Sequence, residues 1–133
     1  MNLGKKLGIG MATAALSLSL VTAASANESS TSANGYGTLT GYSYLGGDAG
    51  GADTTVTKNN DNAYLVAGYS IQDKNGKTVV SYKELKSSRG DKMHGIGFTY
   101  APDSSHVMYG THGVQGGSTY GAKAVYTYTF FNR

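Results

Sequence analysis

The sequence predicts an all-β fold: a small antiparallel β-sandwich or barrel of about seven strands, following a cleaved secretory signal peptide. Three observations carry that expectation. All 11 tyrosines and 17 of the 20 glycines lie after residue 26; tyrosine, threonine and valine favour strands, and glycine at this density breaks helices. No segment beyond residue 26 sustains apolar residues at the i, i+3, i+4, i+7 spacing of an amphipathic helix. Short alternating runs recur instead, separated by clusters of Gly, Asn, Asp and Ser that mark turns.

The N-terminus reads as an export signal. Lys5 and Lys6 precede the weakly apolar run IGMATAALSLSLVTAA, and Ala24–Ser25–Ala26 supplies the small-residue cleavage pattern. Cleavage is therefore expected after Ala26, giving a secreted chain that starts at Asn27. The run is too short and too rich in small residues to hold as an anchor, and no later segment is apolar enough to span a bilayer as a helix. The expected organisation is a signal peptide at 1–26, a flexible polar leader at 27–35 (NESSTSANG) and one β domain at 36–133. The 107 residues left after cleavage suffice for one small domain that buries roughly 65% of its unfolded surface. Two of the 11 basic residues lie in the signal, so nine face eight acids and the net charge falls to +1. That near-neutral balance gives no argument for a nucleic-acid partner. The chain has no cysteine, which excludes disulfides, thiol chemistry and cysteine-based metal centres.

Each strand follows from alternation bounded by turn residues. GTLTGYSYL (Gly37–Leu45) is the first, ended by the glycine-rich stretch GGDAGGAD (Gly46–Asp53), expected as a loop. TTVTK (Thr54–Lys58) is the second, closed by NNDN. AYLVAGYSIQ (Ala63–Gln72) and TVVSYKEL (Thr78–Leu85) are the third and fourth, joined by DKNGK, where Asp73 opens a type I turn and Gly76 takes the left-handed bulge position. That turn predicts pairing of Ile71 with Val79 and Leu65 with Leu85. KMHGIGFTY (Lys92–Tyr100) and HVMYGTHGV (His106–Val114) are the fifth and sixth, expected to form a hairpin through APDS. AKAVYTYTFF (Ala122–Phe131) is the last. Its Ala124, Tyr126, Tyr128 and Phe130 side is expected to face the core, with Lys123, Val125, Thr127 and Thr129 on the other.

All three histidines lie between Asp91 and Gly113. In the expected hairpin Tyr100 opposes His106 and His94 opposes His112, which places two imidazoles about 5 Å apart at Cβ. Two histidines without a carboxylate or third imidazole make a poor zinc site. His106 would lie about 20 Å along the strand from His112, and Asp91 falls on the other face from His94. No metal and no cofactor is therefore expected, with His94 and His112 as the weak candidates. Asp48, Asp53 and Asp61 could gather around calcium only if two loops met; a surface loop is the simpler reading. GVQGGSTYG (Gly113–Gly121) is no phosphate cradle, because a strand rather than a helix follows it. No GxSxG elbow exists, and Glu84 has no partner for paired-carboxylate chemistry.

The tyrosines remain the unusual feature. Tyr36, Tyr42, Tyr44, Tyr109 and Tyr120 flank glycine-rich turns, the composition of adaptable recognition surfaces, and Tyr36, Tyr44, Tyr109 and Tyr120 are the candidate binding residues. The layout is similar to that of small secreted, cysteine-free β-sandwich bacteriocins of Gram-positive bacteria: an A-x-A signal at Ala24–Ala26 and a tyrosine-rich last strand at Ala122–Phe131. The resemblance covers composition and layout and assigns no residue a role; it implies a bacteriocin-like binding protein. The expected function is a non-enzymatic secreted binding protein acting at the cell envelope or on another cell, with a polysaccharide or protein partner. The alternatives are a small secreted hydrolase using His94 or His112, and a structural coat or matrix component.

Overall fold

The computed structural model describes residues 27–100 and 104–131, which form eight strands and no helix. In chain order these are β1 (Glu28–Ala33), β2 (Gly37–Leu45), β3 (Ala49–Val56), β4 (Tyr64–Asp73), β5 (Thr78–Lys86), β6 (Met93–Thr99), β7 (His106–Gln115) and β8 (Lys123–Phe131). The first sheet runs β1-β2-β3-β6 and the second β5-β4-β7-β8. Every neighbouring pair is antiparallel, and the two sheets stack as a β-sandwich. The expected signal segment 1–26 and part of the APDS turn (101–103) lie outside the described residues.

Strand periodicity sends alternate residues to opposite faces, and the core follows from it. Between the sheets, Tyr36, Leu39, Val56, Leu65, Val114 and Val125 form one apolar cluster. Leu45, Ala52, Tyr69, Ile71 and Met108 form another, where the Tyr69 and Phe98 rings stack with centroids 4.0 Å apart. A polar band of Thr54, His112 and Thr127, all buried, lies in the interior with them. The intervening residues of β4, β7 and β8 face away from the first sheet. There Val66, Val107, Tyr109, Ala124 and Tyr126 are buried together, with Tyr64, Tyr82 and Tyr128 packed against them.

Five sequence expectations differ from this arrangement. The segment expected as a polar leader contributes β1, paired with β2 from Glu28↔Tyr42 to Ala33↔Gly37. Backbone ladders need no apolar side chain, and Asn34–Gly35, with Gly35 at φ +86°, makes the tight turn between them. The stretch GGDAGGAD is largely strand, since β3 starts at Ala49. Its glycines are strand positions that neighbouring aromatic rings lie across: a Cβ on Gly50 would meet the Phe98 ring and one on Gly51 the Tyr44 ring.

The DKNGK turn forms as expected. Asp73 Oδ1 accepts from the Asn75 and Lys77 amides at 2.8 and 3.0 Å, and Gly76 has φ +82°. Beyond it, register shifts between Tyr69 and Gln72 pair Ile71 with Val80 and Ala67 with Leu85, because each bulge adds a residue on one strand. The fifth and sixth strands are not a hairpin: β6 pairs with β3 and β7 with β4 and β8, so the chain crosses between sheets there. Finally, β8 presents Val125, Thr127 and Thr129 to the interior, and its tyrosines pack on the opposite face. Buried threonine hydroxyls find partners inside, whereas alternation alone ranks the aromatic side as the inner one.

Candidate functional site

The histidines occupy three separate environments. His112 is fully buried on β7. Its Nδ1 lies 3.2 Å from Thr54 Oγ1 on the opposite sheet, and its Nε2 2.8 Å from Thr127 Oγ1 on β8. Thr54 Oγ1 donates its proton to Val66 O at 2.8 Å, so toward His112 it accepts. Nδ1 therefore carries the ring proton, and Nε2 accepts from Thr127. Burial pushes the His112 pKa down to about 4, with the Asp53 backbone opposing that in part. The ring is thus a neutral, satisfied bridge between the sheets, with no surface from which a substrate could reach it. Space for it comes from Gly41, where a Cβ would run into the imidazole.

His106 is also buried; its Nδ1 donates to Ser104 O at 2.6 Å, and the ring stands edge-on to Tyr100 with centroids 5.7 Å apart. His94 pairs across the sheet with Thr54, while His112 pairs with Ala67 and Val125. The expected His94–His112 pair does not occur, because their strands belong to different sheets. Among the described residues no three His, Asp or Glu side chains are grouped to hold a metal ion.

Asp61 holds a different role from the calcium ligand considered above. Only 5% exposed, it binds the 116–121 loop: Oδ1 accepts from the Thr119 amide at 2.9 Å, and Oδ2 from the Tyr120 amide at 2.9 Å and the Tyr36 hydroxyl at 2.8 Å. The Tyr120 amide leads in holding its pKa down to about 2, with Tyr36 and Thr119 helping, against the effect of burial. Burial and this carboxylate raise the Tyr36 phenol well above its ordinary value. Asp61 is thereby committed to backbone and phenol donors, an arrangement that fixes a loop and leaves no free carboxylate for chemistry.

The four candidate tyrosines divide accordingly. Tyr36 is fully buried on Asp61, and Tyr109 is buried in the cluster on the outer side of the second sheet; neither presents the exposed ring expected of it. Proximity to glycine did not separate turn-flanking rings at the surface from rings that glycine makes room for. Tyr120 is 38% exposed and stands edge-on to Tyr36. Tyr44 is 39% exposed, and beside it lies Tyr42, 38% exposed, which also flanks a glycine, Gly41, but was not among the four candidates. The signal for Tyr42 is its i, i+2 spacing from Tyr44, which puts both rings on one face of β2.

These two rings form the best-defined exposed aromatic site. They stack with centroids 6.0 Å apart and an interplanar angle of 29°. Tyr44 lies over Gly51, the residue opposite it on β3, and the next strand offers Gly95 and Gly97 on the same face. Asp53, opposite Tyr42, turns its carboxylate over Gly95. On the outer face of the first sheet the Tyr44 ring therefore covers Gly51 and the Asp53 carboxylate covers Gly95, which leaves Gly97 as the open glycine beside them.

No protein-family model matches the chain, and no curated protein matches it either. Among the described residues no helix is long and apolar enough to cross a membrane.

Proposed function

We propose that this chain is a secreted, non-enzymatic binding protein that acts at the cell envelope or on another cell, and that it holds an envelope polysaccharide on the Tyr42–Tyr44 platform. A bacteriocin-like toxin is one form of this reading. The observation that carries it is the pair of stacked, exposed rings on one face with the Asp53 carboxylate and the open Gly97. Exposed tyrosines supply rigid contact area at small entropic cost. A sugar ring packs its C–H face on such rings while its rim hydroxyls meet Asp53 and Thr55, which share this face. The enclosed, hydrogen-bonded position of His112, one of the two histidines the hydrolase reading would use, favours binding over catalysis.

The test is depletion of the protein from solution by isolated, protein-free cell-wall polysaccharide, titrated for each variant. Tyr42→Ala and Tyr44→Ala should each weaken binding about 30-fold, the equivalent of an anchor worth about 2 kcal/mol, with the melting temperature nearly unchanged. Phe130→Ala, 51% exposed on the other sheet, should bind normally. Retention only by wall material that still carries protein would make the partner a protein. Equal binding by all three variants would remove the platform from the account.

A further inference from the structure

Strand edges are where sheets invite new partners, and the four edges of this sandwich are not alike. On one side β1 lies beside β8, so the two sheets close on each other. On the other side the edges are β5 and β6, which also touch but lie less closely together. β5 carries Lys83, Glu84 and Lys86 and two register shifts, devices that discourage edge pairing. β6, Met93–Thr99 (MHGIGFT), has no charged residue, no proline and an unbroken register with β3.

The hydrogen-bond pattern fixes which backbone groups of β6 face outward. Val56 N donates to Lys92 O at 3.0 Å, and Tyr100 N donates to Asp48 O at 3.1 Å; both pairs continue the β3–β6 register. Hydrogen-bonded pairs alternate along an antiparallel ladder, so the even-numbered residues bond β3. The N–H and C=O groups of Met93, Gly95, Gly97 and Thr99 point away from it. All four residues are exposed, Met93 at 73%. The two central ones are glycines, so no side chain shields the outward groups between them.

We propose that β6 pairs antiparallel with β6 of a second copy of this chain, about a two-fold axis midway between the two Ile96 residues. In that register Gly95 faces Gly97 of the second copy and Met93 faces Thr99, each twice. Every outward group then meets a partner, giving about eight inter-chain hydrogen bonds. A shift by one residue would oppose outward groups to inward ones, so the match is specific to the even register. The absence of charge on β6 means that the two-fold brings no like charges together. The outcome is one continuous eight-stranded sheet in which the outer faces of both copies join. The two Tyr42–Tyr44 pairs then stand about 24 Å apart, five strand spacings. The pairing itself does not rest on the polysaccharide reading, and Tyr44→Ala should leave it intact.

Sedimentation equilibrium of the purified protein tests this, with two sets of variants. The wild-type protein should reach twice the chain mass as concentration rises. Gly97→Pro removes an outward N–H without touching a bond to β3, and a Cβ there meets only Gly50 O at 4.0 Å. It should stay at single-chain mass with a nearly unchanged melting temperature, and Gly97→Ala should still dimerise. The register is read by cysteine pairing, since the chain has no cysteine of its own. Met93→Cys mixed with Thr99→Cys should give a disulfide-linked dimer. Either variant alone should not, because its two copies would lie about 20 Å apart. Single-chain mass for the wild type at every concentration would overturn the proposal. So would undiminished dimerisation of Gly97→Pro, or cross-linking of each cysteine variant alone as strong as in the mixture.

Discussion

His112 makes the protein's stability depend on acidity in a window that its environment defines. The perturbation is a drop in pH from about 7 to about 4. In the unfolded chain the imidazole titrates near its ordinary value of 6.5, whereas in the fold burial lowers it to about 4. Between those values the unfolded state binds a proton that the folded state refuses, so stability falls as pH falls. The full contribution is present above 6.5 and is lost progressively toward 4. A displacement of this size, at about 1.4 kcal/mol per pH unit, is worth about 3 kcal/mol, a large part of the 5–15 kcal/mol or so that holds a typical domain together. The assay is urea unfolding at a series of pH values for the wild type and His112→Gln, whose amide keeps hydrogen-bonding groups in place but does not titrate. Carboxylates common to both chains cancel in the difference. The wild type should lose about 3 kcal/mol relative to the variant across the window. A difference that stays flat, or an imidazole that titrates near 6.5 by NMR in the folded protein, would refute the reasoning.

Three further outcomes follow from the same contacts. Tyr36→Phe removes the hydroxyl that donates to buried Asp61 and should cost about 1–3 kcal/mol in chemical denaturation, with no change in wall binding. Gly41→Ala places a methyl group against the His112 ring and should cost about 1–3 kcal/mol by overpacking, while His112→Ala in the same chain should recover part of that loss. Intact-mass measurement of the exported protein should give a chain beginning at Asn27; a product that still carries Lys5 and Lys6 would contradict export by cleavage after Ala26.

The sequence carried local information well and long-range information poorly. Strand positions followed from alternation, and β2 spans Gly37–Leu45 as expected. The DKNGK turn was legible because Asp73 and Gly76 act within five residues. Strand pairing was not, because the turn between β6 and β7 says nothing about which sheet each joins. The inner face of β8 was misjudged for a related reason: Thr127 and Thr129 become interior residues only when His112 and Ser43 arrive from other strands. Tyr42 and Tyr44 were separable from Tyr36 and Tyr109 only once exposure was known. Glycine marks both the surface turn and the place where a ring needs room, as under Tyr44 at Gly51 and beside His112 at Gly41.

The central claim is that recognition takes place on the outer face of the first sheet. Amide chemical-shift mapping of the labelled protein during titration with solubilised cell-wall polysaccharide tests it most directly. The account predicts that the perturbed amides gather at Tyr42, Tyr44, Gly51, Asp53, Gly95 and Gly97, with the polysaccharide recovered unchanged. Perturbations centred on His94 or His112 with time-dependent breakdown of the polysaccharide would contradict it and establish the protein as a hydrolase.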